Sequence, residues 1–203
     1  LEQSVYIIMG ANIGTTVTSF LIGLKINAIA PVLIFIGVIF VVFIKKKFLQ
    51  HLGMVIVGFG ILFTGMEGMS SAMVPLREMP AFRELMVKFS NPVLGILAGA
   101  VLTAVIRASS ASVGIIQALA ASGAVTLPGV IFILFGQNIG TCATAMLASI
   151  GTNRAGKRAA MMHLMFNVIG TILFIPICLL LHYPEFIMRL TDNPEMQISY
   201  AHI

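Results

Sequence analysis

Two polar stretches of similar sequence interrupt apolar parts of the chain. Residues 10–18 read Gly-Ala-Asn-Ile-Gly-Thr-Thr-Val-Thr, and residues 136–144 read Gly-Gln-Asn-Ile-Gly-Thr-Cys-Ala-Thr. The match extends into the apolar residues before each stretch, so a whole segment is duplicated. Asparagine and threonine oxygens can ligate a hard cation such as Na⁺, whereas free amide groups at an interrupted helix attract an anion. The pattern therefore points to ion binding at two related places.

A third polar stretch, residues 107–112, reads Arg-Ala-Ser-Ser-Ala-Ser and separates two apolar arms within 92–122. Each arm has roughly fifteen residues, fewer than the ~20 that a helix needs to span a bilayer. We therefore predict a re-entrant hairpin whose polar tip lies inside the protein. A serine hydroxyl both donates and accepts hydrogen bonds, so this tip could bind either a cation or an anion.

The composition places these stretches in a membrane. Hydrophobic residues make up 59% of the chain and charged residues 9%, with a mean hydropathy of +1.05. A soluble globule of this size cannot bury so much apolar surface. Five apolar runs approach the length of a spanning helix: 3–22, 28–44, 49–66, 128–150 and 159–182. The lipid bilayer is therefore an expected partner, and we predict a multi-pass protein of the plasma or inner membrane.

The basic residues lie at the ends of apolar runs, where positive charge fixes orientation in a membrane. Despite a net charge of +5, this placement argues against nucleic-acid binding. Lys45 to Lys47 and the basic loop 152–158 are both expected on the cytoplasmic side. Segment 3–22 would then run outward and its duplicate 128–150 inward, so the repeats are inverted. Inverted repeats with interrupted helices are typical of secondary transporters, whose sites lie near the membrane midplane.

The fold class that follows is an all-α integral membrane protein with inverted repeats, interrupted helices and a re-entrant, serine-tipped hairpin. The glycine, asparagine and threonine residues at the centres of 3–22 and 128–150 predict the interruptions. The alternative is that these small residues only let continuous helices pack closely.

The chain divides into four parts by composition. They are 1–66, the remainder of the first repeat plus connecting transmembrane helices; 67–91, an interfacial amphipathic linker; 92–182, the second inverted repeat with hairpin 92–122, interrupted helix 128–150 and helix 159–182; and 183–203, a polar tail.

Three motifs follow one another in the second half of the chain. They are the serine stretch in 103–112, the Asn-Ile-Gly-Thr element in 136–141 and the sequence Arg-Ala-Ala-Met-Met-His-Leu-Met-Phe-Asn of 158–167. Their order resembles the sodium/phosphate cotransporter family, meaning the type II carriers and their bacterial relatives. That family repeats a Gln-Ser-Ser-Ser signature ahead of an Asn-Ile-Gly-Thr signature in each half.

The resemblance implies a chain truncated at both ends. The serine hairpin of the first half would precede Leu1, and 198–203 looks like the start of a second His-x-x-Phe-Asn element. Carried over residue by residue, the resemblance implies a substrate site and a sodium site. The substrate site comprises Ser109, Ser110, Asn12, Thr15, Asn138 and Thr141, to which we add Arg107 as a candidate of our own; the sodium site is expected to comprise Ser110, Ser112, Thr16, Gln137 and Asn138. No cofactor and no metal other than the coupling sodium ion is expected.

Arg107 stands where the family has glutamine, and Ala108 stands where it has its first serine. A guanidinium has donors and no acceptor, so it cannot ligate sodium, but it suits phosphate well. Our hypothesis is that Arg107 contacts phosphate directly or replaces one sodium ion as a fixed positive charge. The alternative is that it snorkels to water or pairs with a carbonyl group.

His163 and Asn167 lie four residues apart and share one helix face. An interhelical hydrogen bond is the favoured interpretation, and a proton relay is the alternative. Cys142 and Cys178 lie within apolar runs and are interpreted as packed thiols, while His202 lies near a segment end and gives no functional signal.

The resemblance implies sodium-coupled transport of inorganic phosphate by alternating access, so phosphate and sodium ions are the expected partners. The alternatives are a carrier of another oxyanion, or one coupled to protons or to no ion, and a phosphate sensor or membrane assembly protein that transports nothing. The apolar runs contain no carboxylate pair and no serine-base-acid arrangement, so we do not expect an enzyme. A homo-oligomer is possible.

Overall fold

The computed structural model of the chain describes residues 2–24 and 27–202. Its regular structure within these residues is entirely helical. The α-helices are α1 (Glu2–Gly23), α2 (Ala30–Phe43), α3 (Lys47–Met73), α4 (Pro80–Phe89), α5 (Pro92–Ile106), α6 (Ser109–Ala121), α7 (Leu127–Ala148), α8 (Arg154–Leu180), α9 (Tyr183–Leu190) and α10 (Pro194–Ala201). Short 3₁₀ helices precede α2, at Asn27–Ile29, and α4, at Val74–Glu78.

Several helices in the described part of the chain are long and apolar enough to cross a membrane. They are Val5–Gly23, Lys47–Glu78, Leu127–Ala148 and Arg154–Leu180, and α4 with α5 forms a further pair bent by 108°. The prediction of an all-α membrane protein is therefore confirmed. Helix α2 has 14 residues, so the predicted run 28–44 is shorter than the ~20 residues of a full span.

The prediction that the two repeated segments form interrupted helices is wrong. Both α1 and α7 are continuous α-helices of 22 residues. The first covers the whole of segment 3–22, and the second covers segment 128–150 as far as residue 148. Thr15 Oγ1 donates to the carbonyl of Ala11 at 3.1 Å, and Thr141 Oγ1 donates to that of Gln137 at 2.9 Å. Because these hydroxyl groups are satisfied one turn back in their own helix, the polar stretch does not require an unwound backbone.

The glycines of the second repeated stretch serve close helix packing instead. A Cβ atom on Gly140 would collide with the carbonyl of Ala100 on α5, and one on Gly136 would also meet the α5 backbone. A Cβ on Gly10 or Gly14 of the first stretch would meet nothing within 4 Å. The packing alternative is therefore correct for α7, where small residues let α5 approach closely.

Helices α5 and α6 form a hairpin joined at Arg107 and Ala108. Arg107 has a left-handed backbone conformation with φ of 62°, which reverses the chain after α5. At the other end of α5, the side chain of Asn91 accepts hydrogen bonds from the amides of Val93 and Leu94, at 3.0 and 3.3 Å. The hairpin predicted for 92–122 thus has the form of two short helices, and its depth in the membrane stays a prediction.

The segment predicted as a polar tail forms α9 and α10, which pack into the core. Ile187 of α9 and Ile198 of α10 are 1% and 0% exposed, and both belong to the apolar cluster built mainly from α6 and α7. Gln117 of α6 anchors α10, because its Nε2 lies 2.9 Å from Ser199 Oγ and 3.0 Å from the carbonyl of Ser19 on α1. Residues 194–201 are therefore an integral part of the helix bundle.

Candidate functional site: an uncharged cavity between four helices

A cavity of about 330 Å³ lies between α1, α7, α8 and α10. It brings the two helices that carry the repeated Asn-Ile-Gly-Thr stretches to one space. The polar part of its wall comes from α1, α7, α8 and the residue after α10, and consists of Asn12, Thr16, Asn138, Asn167, Thr171 and His202. The rest is apolar or aromatic: Met9, Ile13, Phe135, Phe166, Gly170, Phe174, Tyr183 and Ala201. Among the residues that the structure describes, the wall therefore contains no Lys, Arg, Asp or Glu.

Asn167 of α8 ties three helices together at this wall. Its Oδ1 accepts a hydrogen bond from Asn12 Nδ2 of α1 at 3.3 Å. Its Nδ2 donates to Cys142 Sγ of α7 at 3.2 Å and to the carbonyl of His163 at 3.0 Å. The predicted interhelical hydrogen bond is confirmed for Asn167, and Cys142 and Cys178 are buried free thiols as expected.

His202 follows α10 and lines the same cavity, although no sequence motif singles it out. Its side chain is 6% exposed, and its Nδ1 lies 3.5 Å from Thr16 Oγ1. Its Nε2 is buried and has no hydrogen-bond partner among the described residues. Burial lowers the pKa of the imidazole to about 4, because desolvation disfavours the charged form. His202 is therefore neutral near pH 7.

The tip of the hairpin touches α1 beside the cavity. Ser109 Oγ, at the start of α6, lies 3.5 Å from Thr15 Oγ1. Thr15 is one residue before Thr16, which lines the cavity. The structure therefore brings the serine tip against one Asn-Ile-Gly-Thr helix, and the side-chain hydrogen bond between them in the described part of the chain is at the outer limit of length.

A second polar group holds the base of the tip against α7. The hydroxyl groups of Thr103 and Ser112 lie 2.8 Å apart, and Gln137 Nε2 donates to the carbonyl of Ser112 at 3.0 Å. All three side chains are buried, and Gln137 Oε1 has no partner in the described part of the chain. These contacts join α5, α6 and α7, and give Ser112 and Gln137 a structural role.

The structure separates the predicted site residues into those in the cavity and those outside it. Asn12, Thr16 and Asn138 line the cavity, whereas Thr15, Arg107, Ser109, Ser110, Ser112, Gln137 and Thr141 are absent from its wall. Arg107 is exposed at the turn of the hairpin. Within residues 2–24 and 27–202, no three His, Cys, Asp or Glu side chains lie together as metal ligands. The available ligands for a cation at the cavity are therefore amide and hydroxyl oxygens.

The long apolar helices define a multi-pass, α-helical membrane protein, and a cavity with an uncharged, mostly apolar wall lies between them. The family model described as Na⁺/Pi-cotransporter matches residues 1–71 and 77–182. The chain belongs to this family, as its motifs led us to expect.

Three relatives illustrate the range of the family. The chain is 30% identical over 201 residues to the "Uncharacterized protein YqeW" of Bacillus subtilis, covering 98% of the chain and 64% of the relative. It is 28% identical over 204 residues to the "Putative inorganic phosphate export protein YjbB" of Escherichia coli, covering 100% of the chain and 37% of the relative. It is 33% identical over 107 residues to the human "Sodium-dependent phosphate transport protein 2B", covering 50% of the chain and 16% of the relative.

The chain thus spans less than two thirds of the length of each of these relatives. No solved structure matches it.

Proposed function

We propose that the protein carries inorganic phosphate across the membrane by alternating access, coupled to sodium, and that the cavity between α1, α7, α8 and α10 is part of its pathway. The observation that supports this most directly is the position of Asn12, Thr16 and Asn138. These three residues come from the two repeated stretches, and they line one cavity. The sodium-dependent phosphate transport named for the human relative supports the choice of substrate and coupling ion.

The uncharged wall supplies a reason for coupling. An anion placed in a cavity without compensating charge is strongly disfavoured. A sodium ion bound beside it would provide that charge, and oxygens of Asn138 and Thr16 are suitable ligands for a hard cation. Phosphate and sodium would therefore each favour the binding of the other.

Labelled phosphate uptake into proteoliposomes tests this function. We expect phosphate uptake by liposomes that contain the purified protein to increase when an inward sodium gradient is imposed. Protein-free liposomes under the same gradient give the background. Since one relative is named for phosphate export, efflux from preloaded liposomes should be measured as well. Uptake driven by a proton gradient would show proton coupling, and uptake that responds to neither gradient would show uncoupled transport. Either result would reject sodium coupling.

The rival functions give different results in the same assay. Transport of another tetrahedral oxyanion, with phosphate as a poor competitor, would identify a different substrate. Saturable phosphate binding by folded protein that moves no phosphate would instead indicate a sensor. Absence of both binding and transport would favour a membrane assembly role.

Arg107 has a separate place in this proposal. It is exposed at the turn next to Ser109, which contacts α1, so it could meet phosphate outside the cavity or act as a fixed charge near its entrance. Replacing it with the family's residue, Arg107→Gln, should make uptake depend more steeply on sodium concentration. An unchanged sodium dependence, with an unchanged KM for phosphate, would leave Arg107 without either role.

A further inference from the structure

Helix α10 is fixed in register along α1 by buried polar groups. Ser199 Oγ donates to the carbonyl of Ser19 at 2.9 Å, and both side chains are about 1% exposed or less. Asn193, before α10, donates from Nδ2 to the carbonyl of Gly23 at 3.4 Å. The contacts run backward along α1 as they run forward along α10, so the two helices are antiparallel. This register brings the end of α10 to the middle of α1.

The register places His202 opposite Thr16, one turn from Asn12 on α1. All three residues line the cavity. The Nδ1 atom of the imidazole faces Thr16 Oγ1, whereas its Nε2 atom finds no partner among the described residues. A polar atom that is buried and unpaired in a folded protein calls for an explanation. His202 lines the cavity, but its Nε2 atom is covered in this conformation, so a ligand in the cavity reaches Nε2 when the side chains that cover it move aside.

The chemistry of the imidazole favours an anion over sodium as that ligand. Hard cations prefer oxygen ligands, while a neutral imidazole nitrogen suits softer metals. A phosphate ion offers both partners that a ring nitrogen can use. Its oxygen atoms accept a hydrogen bond from an N–H group, and its P–OH group donates one to a bare nitrogen. The match holds whichever ring nitrogen carries the proton.

We propose that His202 is a further substrate-contacting residue of this cavity, and that its Nε2 atom hydrogen-bonds the transported phosphate. The proposal rests on the proposed function, because it assigns phosphate to the α10 side of the same site. The amide and hydroxyl oxygens on the α1 and α7 side, from Thr16 and Asn138, are then left for sodium.

Two substitutions separate this role from a structural one. The side-chain amide of His202→Gln reaches about as far as Nε2, whereas that of His202→Asn reaches only as far as Nδ1 and can still bond Thr16. We expect H202N to raise the Kd of labelled phosphate about tenfold, the effect of losing one hydrogen bond to a charged ligand. H202Q should stay within about threefold of the original protein. Gln197→Ala, on α10 but outside the cavity wall, is the matched control and should leave the Kd unchanged.

The measurement is equilibrium binding of labelled inorganic phosphate to purified full-length protein at fixed sodium concentration, followed by uptake in proteoliposomes. If H202N binds phosphate as tightly as the original protein, or if H202Q is impaired as much as H202N, the proposal fails. Binding without uptake would contradict the transport function. The ratio of the Kd values of H202N and H202Q for phosphate would still decide the role of His202. If the unsubstituted protein neither binds nor transports phosphate, both proposals fail.

A second measurement does not require either variant to fold. In protein labelled with nitrogen-15 at histidine, with the other histidines, His51, His163 and His182, replaced by glutamine, NMR reports the two ring nitrogens of His202 separately. Adding phosphate should shift the Nε2 resonance and leave Nδ1 nearly in place. A titration that moves neither resonance would overturn the assignment.

Discussion

Asn12 shows how one residue can both shape the cavity and meet a ligand. Its Nδ2 reaches Asn167 Oδ1 at 3.3 Å, and both residues line the cavity. A bond of this length is weaker than one near 2.9 Å. A ligand oxygen could therefore take the place of Asn167 as the acceptor without a large loss of stability.

Replacing Asn12 should reduce transport with little effect on folding. We expect Asn12→Ala to lower kcat/KM for phosphate about tenfold, as for the loss of one hydrogen bond to an ion. Uptake at several phosphate concentrations checks this. Thr18→Ala is the matched control on the same helix, because the hydroxyl group of Thr18 donates back to the carbonyl of Gly14 at 3.2 Å and Thr18 lies outside the cavity wall. Equal losses in both variants would show that α1 is merely sensitive to substitution.

The buried imidazole of His202 predicts a loss of stability in acid. Its pKa is lowered to about 4 by burial, against about 6.5 in an unfolded chain. Between these values the unfolded state binds more protons, so the free energy of unfolding falls as the pH decreases from 6.5 to 4, by up to the order of 3 kcal/mol. Thermal unfolding in detergent should show a smaller acid-induced decrease in Tm for His202→Gln. Parallel decreases in the two proteins would contradict this account.

At the scale of helices, the two repeated stretches have the same sequence pattern and different surroundings. In α7, the glycine of the Asn-Ile-Gly-Thr element packs on the backbone of α5, whereas its counterpart in α1 meets nothing within 4 Å. Within the described chain, the same helix surface is therefore covered by α5 in α7 and left open in α1.

This difference predicts opposite effects for the same substitution. Gly140→Ala should lower the free energy of unfolding by about 1–3 kcal/mol, because the added methyl group overpacks the contact with Ala100. Gly14→Ala should be neutral or stabilising by up to about 1 kcal/mol, since alanine favours a helix more than glycine does. Thermal or denaturant unfolding of the two variants in detergent makes the comparison. Similar destabilisation by both would mean that the open face of α1 is covered in the protein under the conditions of the assay.

The sequence predicted the helical class, most of the long helices and the hairpin, because apolar run length and glycine or serine breaks are local signals. It failed on the continuity of α1 and α7. Threonine and asparagine predict a break only if their polar groups lack partners, and here Thr15 and Thr141 bond within their own helices. That outcome depends on side-chain geometry, which spacing alone does not reveal.

The candidate site was predicted only in part. Asn12, Thr16 and Asn138 reach the cavity, since they belong to the repeated pattern. His202 could not be identified, because its position depends on how α10 lies along α1, a contact between residues 180 or more positions apart in sequence. The serine tip was expected to share the site, and the structure gives it one contact with α1, at Thr15.

At the scale of the whole molecule, the inverted arrangement of the repeats can be tested by labelling. Lys46 and Lys157 are exposed. Inversion requires both on the same side of the membrane, and their positive charge predicts the cytoplasmic side. Cysteines introduced by Lys46→Cys and Lys157→Cys should react with a membrane-impermeant maleimide only after the cells are permeabilised. The native Cys142 and Cys178 are 1% and 3% exposed and should contribute a low background. Reaction of one site from outside intact cells would rule out the inversion.

The bonds of Gln117 have a mechanical consequence for a protein that must open and close. Its Nε2 contacts acceptors on both α1 and α10, at Ser19, Glu195 and Ser199, over 2.9 to 3.2 Å. Relative sliding of α1, α6 and α10 would break several buried hydrogen bonds at once, so these three helices should travel as one rigid block. Between α1 and α8, by contrast, the side-chain hydrogen bond found among the described residues is the 3.3 Å bond from Asn12 to Asn167 at the cavity. If the cavity opens, we expect α1 and α8 to separate first, which would move Asn12 on α1 away from Asn167 on α8.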